Sequence, residues 1–138
     1  MAIYLLFSPT VLSYKRKYEN SVLTDRLRLA KLQKITQAFE QDQVHLNSDH
    51  SLPKLAALTR LSEHHISEVI NLELGMNFYE LTNHYRVLAA KQHLKEAKNN
   101  GLSMEQLAYQ LGYKSKSTFY KAFKKAEGIT PRQYQKRQ

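Results

Sequence analysis

Two stretches of this chain repeat one another in register, and that limits what it can fold into more than any other feature. Leu55-Ala56 matches Leu107-Ala108 at an offset of 52. After one inserted residue the offset becomes 53: Ser62 matches Ser115, Ile66 matches Phe119, Ile70 matches Phe123, Gly75 matches Gly128 and Asn77 matches Thr130. The recurring residues are of the kinds that start a helix, bury its face and stop it. A chain duplicated at cap, core and stop positions encodes one supersecondary unit twice, here two short helices joined by a tight turn.

Local signals fill in the rest. Ser51 caps a helix over SLPKLAALT, with Pro53 in the first turn where a missing N–H costs little. Ser62 caps SEHHISEVINLEL, whose apolar stripe is Ile66, Val69 and Ile70, and Gly75 ends it. Asn77 with Glu80 forms a capping box for a long helix to about Lys98, with Phe78, Leu81, Tyr85, Leu88, Leu94 and Ala97 on its apolar side. Ser103 and Ser115 cap the second pair, Gly128 ends it, and Thr130-Pro131 opens a last helix. Upstream, Thr24 caps a helix to residue 41 with Leu29, Leu32, Ile35 and Phe39 on one face, and residues 42–50 are expected to be a polar loop. The expectation is an all-α fold of about seven helices: two helix-turn-helix subdomains joined by a long central helix. The chain divides into an N-terminal arm, 1–23, a first subdomain with its connecting helix, 24–98, and a second subdomain, 99–138.

Charge is concentrated at one end. Of 138 residues, 21 are Lys or Arg and 12 Asp or Glu, a formal charge of +9, and residues 101–138 hold eight basic and two acidic side chains. A basic, compact lobe is the electrostatic footprint of a polyanion binder, although a solubilising lysine face would look the same. KSKSTFYKAFKK, residues 114–125, sets five lysines around two phenylalanines. At 100° per residue Phe119 and Phe123 share one face, and most of the lysines fall elsewhere. In a helix-turn-helix the second helix enters the major groove, so residues 62–74 and 115–126 are the candidate reading helices. A helix from 77 to 98 would be about 33 Å long, close to the ~34 Å repeat of B-DNA.

LAYQLGYKSKSTFYKAFKKAEGITPRQYQK and LSEHHISEVINLELGMNFYELTNHYRVLAAKQHL resemble the DNA-binding domain of the AraC/XylS family of bacterial transcription regulators, over about residues 26–138. The resemblance implies two helix-turn-helix units that bind double-stranded DNA as one module and contact RNA polymerase. Carried over by position, it implies that Lys116, Ser117, Tyr120 and Lys121 meet base edges and that Thr118, Lys124 and Lys125 meet phosphates. The first reading helix would offer His64, Ser67, Glu68 and Asn71, with His65 packing. Many family members carry a basic side chain where Glu68 stands. A carboxylate there can accept from cytosine N4 but repels phosphate, so Glu68 is expected to lower affinity and add selectivity.

Residues 1–23 place an apolar run ahead of Lys15-Arg16-Lys17, the wrong order for a signal peptide and too short for a span. Apolar then basic matches a cytoplasmic exit from a membrane, and KYENS, ISEVIN and NFYELTNHYRV resemble membrane-embedded AraC-type regulators. Two readings stand side by side: the cytoplasmic end of a longer sensor, or an N-terminal arm that packs on the first helix or pairs two chains in a homodimer. Catalysis is not expected. There is no cysteine, no H-E-x-x-H, no Gly-rich phosphate loop and no G-x-S-x-G, so neither a metal nor a cofactor is called for. The rival is a basic membrane-surface or protein-interaction module.

Overall fold

The computed structural model describes residues 24–96 and 101–138, so Ala97 and residues 1–23 lie outside the described residues. These comprise seven α-helices and no strand: α1 Asp25–Glu40, α2 Leu52–Thr59, α3 Glu63–Val69, α4 Phe78–Glu96, α5 Met104–Gln110, α6 Lys116–Glu127 and α7 Pro131–Lys136. The expected caps are in place. Ser51, Ser62, Ser103, Ser115 and Thr130 each accept the backbone N–H three residues on, and Asn77 and Glu80 exchange bonds of 2.8 and 2.9 Å. Such bonds span three residues and need no tertiary support, which is why they are readable from sequence. Gly75 and Gly128 both stop a helix in the left-handed region, at φ 64° and 78°.

Packing divides the chain into two compact units, one of residues up to Val44 with Ser51–Leu81, the other of His45–His50 with Thr82–Gln138. The sequence reading grouped the whole long helix with the first pair; by packing, only its first turn belongs there. In the first unit α1 lies against α2, α3 and the turn that follows α3. Leu32, Ile35, Ala38 and Phe39 of α1 form its core with Leu55, Ile66, Val69, Ile70, Leu74 and Leu81. Leu29 was expected among them and is 52 % exposed. At 100° per residue it falls outside the arc from Ala38 to Leu32 that α1 turns inward. Two polar links hold α1 to α3 and the turn beyond it: Lys31 Nζ lies 3.1 Å from His65 Nδ1 of α3, and Arg28 Nε donates to Glu73 Oε1 at 3.0 Å. Beyond Val69 the helix widens into a π-turn, Ile70–Leu74.

The second unit is built on Val87, Ala90, Leu94, Leu107, Leu111, Tyr113, Phe119 and Phe123, with Tyr134 of α7 edge-on to Phe123 at 5.5 Å. Residues 42–50 are more than a polar loop. Val44–Leu46 form a 3-10 turn, His45 is buried, and its ring lies 5.5 Å from that of Tyr85. Arg86 Nε donates to the His45 carbonyl at 2.7 Å, and its Nη2 to the Asn47 carbonyl at 3.2 Å, while the guanidinium covers the Tyr113 ring. A backbone carbonyl carries no sequence signal, so this clamp had no trace in the residue pattern.

Gly112 sits beneath the clamp at φ +87°, where a Cβ would come within 2.6 Å of the His45 carbonyl oxygen. Gly128 has a similar φ, +78°, and open space around it. Gly112→Ala is therefore expected to destabilise the second unit by about 2–4 kcal/mol, from backbone strain and overpacking together. Gly128→Ala should cost only about 1–2 kcal/mol, the left-handed backbone penalty alone. Urea denaturation followed by circular dichroism separates the two.

Burial, and then the charge of Arg86, pushes the His45 pKa down to about 4. The folded chain thus keeps His45 neutral at pH values where the unfolded chain protonates it. Its contribution to stability is therefore whole above pH ~6.5 and is lost as pH falls towards 4. Burial with Lys91 lowers His84 in the same sense. The urea midpoint is expected to drop between pH 7 and pH 5, and His45→Phe, which keeps a ring against Tyr85, should reduce that drop and leave the part due to His84.

Candidate nucleic-acid interface

Helix α6 has two unlike sides. Ser115 Oγ accepts the Thr118 N–H at 3.1 Å and lies 2.8 Å from Thr118 Oγ1, which sets the first turn. Phe119 and Phe123 are fully buried, edge to face at 5.9 Å, and fix the rotation of the helix about its axis. That rotation leaves Lys116, Ser117, Thr118, Lys121, Lys124 and Lys125 exposed. The one carboxylate of α6, Glu127, pairs with Lys91 at 3.2 Å, and none of the four lysines of α6 makes an ion pair among the described residues. Lys124 and Lys125 fall in the last turn, where the helix dipole favours cations. The result is a cationic strip on an aromatic anchor. Tyr120 departs from its expected place at base edges. It is half-buried, its hydroxyl is covered and unbonded, and its ring lies 5.4 Å from Lys116 Nζ, so it supports that lysine and offers no hydroxyl.

In the first unit the counterpart helix is less open. His64 is exposed and Ser67 partly so. Glu68 is 0 % exposed and Asn71 5 % exposed, so neither is presented to solvent as the sequence reading had them. The covered arc of this helix is wider than the stripe of Ile66, Val69 and Ile70 implies. The π-turn adds to this, because a wider turn shifts the facing of Asn71 and Leu74, both buried. Glu68 therefore cannot act on a base from where it stands. His65, expected to pack, does so and faces the Lys31 ammonium.

One residue that the sequence pattern left aside lies in the first unit's turn. Arg60 follows α2 at φ 58°, a left-handed conformation that costs a non-glycine residue about 1 kcal/mol or more, where the repeat has Gly112. The offset of 52 pairs Arg60 with Gly112, and that pairing was the available signal.

Residues 55–137 match the family described as a helix-turn-helix domain. An AraC-type DNA-binding domain-containing transcriptional regulator from Chromobacterium violaceum has the same fold, with a TM-score of 0.66 at 19 % identity over 79 % of this chain and 95 % of that one. The chain belongs to the AraC-type helix-turn-helix family. The C-terminal domain of AraT, a response regulator from Geobacillus stearothermophilus, is similar at 28 % identity and a TM-score of 0.63, over 86 % of this chain and 89 % of that one. The same fold is found in the DNA-binding domain of AdpA, solved in complex with a target DNA, at 19 % identity and a TM-score of 0.64 over 78 % of this chain and 90 % of that one. Among curated relatives, the HTH-type transcriptional regulator YtdP of Bacillus subtilis is 32 % identical over 87 residues, 63 % of this chain and 11 % of YtdP. The chain thus spans about a tenth of the length of the curated relatives it matches.

Both carboxyl oxygens of Glu68 are buried without a hydrogen-bond partner. An unpaired polar group of this kind is costly. Glu68→Met, which keeps the length and removes the oxygens, is expected to raise the stability of the first unit by roughly 1–3 kcal/mol in urea denaturation.

Proposed function

We propose that this AraC-type domain binds double-stranded DNA sequence-specifically, as the DNA-binding part of a bacterial transcription regulator. The observation that carries the reading is the α6 surface: four lysines with no ion-pair partner among the described residues, held outward by two buried phenylalanines in the second helix of a helix-turn-helix. Lys116 and Lys121 donate to guanine O6 and N7, Ser117 serves donors or acceptors, and Thr118, Lys124 and Lys125 meet phosphates. His64 and Ser67 face the duplex from α3. The reading helices enter successive major-groove turns, with α4 as their spacer. Its 19 residues make about 28 Å, against the ~34 Å repeat of the groove.

The regulator as a whole contacts RNA polymerase in the bacterial cytoplasm, pairs with a second copy through residues 1–23 or regions beyond this chain, and carries a membrane-embedded sensor region upstream. The curated relatives support this in one respect: they are long enough to hold a sensing region beside a domain of this size. Among the described residues no helix is long and apolar enough to cross a membrane, so the sensor would be elsewhere in the regulator.

Selection of bound duplexes from a random library tests the proposal, followed by anisotropy titrations of the selected duplex at several salt concentrations. Engagement of roughly five to eight phosphates gives a slope of log K against log[salt] of about −4 to −7. A slope near zero, with tighter binding to anionic vesicles than to duplex, would overturn it in favour of a membrane-surface module.

A further inference from the structure

The two helix pairs carry their positive charge on opposite members. In the second unit it lies on the second helix: α6 has four lysines, whereas α5, MEQLAYQ, has no basic residue and one glutamate. In the first unit the second helix is acidic, since α3 and its π-turn, EHHISEVINLEL, hold three glutamates and neither lysine nor arginine. Within that helix pair the exposed cations are Lys54 on α2 and Arg60 at the turn that ends it. Their counterparts at an offset of 52 are Gln106 and Gly112, both uncharged. The register of the duplication makes this a comparison of equivalent sites.

The consequence follows from how such a motif sits on a duplex. Its second helix faces the base edges in the major groove, while its first helix crosses the sugar-phosphate backbone. Cations on the first helix meet phosphates, which give affinity and register but no sequence information. We infer that the two units divide recognition: Lys54 and Arg60 hold the first unit on DNA phosphates, and α6 of the second unit supplies most of the base discrimination. This rests on the DNA-binding reading above and adds two contact residues to it.

Two further observations support the division. The positions in register with Lys121 and Lys124 are Glu68 of α3 and Asn71 of its π-turn, and both are buried, so this segment offers the groove little beyond His64 and Ser67. Arg60 also holds a left-handed backbone conformation that glycine adopts without strain and that the second unit fills with glycine. An arginine there is unfavourable for folding, so its replacement separates stability from binding.

The test uses the full chain with Lys54→Gln, Arg60→Gly, Lys121→Gln and, as a control charge exposed on α1, Lys34→Gln. Each is titrated by anisotropy against the library-selected duplex and a scrambled duplex over a salt series. Lys54→Gln and Arg60→Gly are expected to weaken both duplexes by the same factor and to flatten the salt slope by about 0.9 each. Arg60→Gly should raise the urea midpoint at the same time. Lys121→Gln should weaken the selected duplex roughly 5- to 150-fold more than the scrambled one, the span of a lost base contact. Lys34→Gln should leave the slope unchanged. The inference is overturned if Lys54→Gln and Arg60→Gly leave the slope unchanged or alter the ratio between duplexes, if Lys121→Gln weakens both equally, or if Lys34→Gln flattens the slope as much. A wild-type chain that binds neither duplex removes the DNA-binding reading itself, and the division with it.

Discussion

The candidate interface depends on two side chains one helical turn apart. Phe119 and Phe123 are fully buried, and burial of each stabilises the unit by roughly 1.5–3 kcal/mol. Their larger effect is directional. A helix held at two points along one face cannot rotate about its axis, so Lys116, Lys121, Lys124 and Lys125 have fixed bearings and form a surface. Ile66 of α3 and Ile70 at the start of its π-turn act at the same register, which is why an acidic helix and a basic one keep the same fold.

The repeat shows which parts of a helix pair are free to vary. Cap, core and stop positions agree between the halves, because each is constrained by bonding or packing inside its own unit. Turn and outer-face positions differ. Gly112 faces a carbonyl too close for any side chain, whereas Arg60 is exposed and tolerates a backbone conformation that glycine would hold more easily. The second unit also uses residues the first has no counterpart for. Arg86 gathers two backbone carbonyls and the Tyr113 ring, and burial pushes the Tyr113 hydroxyl up to about 12 against the opposing pull of the guanidinium.

Most of the helices were legible because their signals are local. A serine that accepts the N–H three residues on, or a glycine in the left-handed region, makes the same bond whatever surrounds it. The lysine strip was legible for a related reason, as two phenylalanines four residues apart leave only one side of α6 for charge. Leu29, Glu68 and Asn71 were misplaced because burial is decided by neighbours distant in the chain. Periodicity marks the centre of a buried face and says little about its width, and a π-turn shifts the count midway. Tyr120 falls between these cases: its ring position follows from the helix, but the covering of its hydroxyl depends on the core beside it.

By itself the sequence determined the duplication, the helix starts and stops, and the separation of apolar from cationic residues on α6. Each of these is set by contacts within a turn or two of the chain. Tertiary structure decided which of the candidate side chains reach solvent, that residues 45–50 belong with the second unit, and that Arg60 occupies a glycine's conformation. Those outcomes depend on what the rest of the chain places against a residue, and a linear pattern does not contain that.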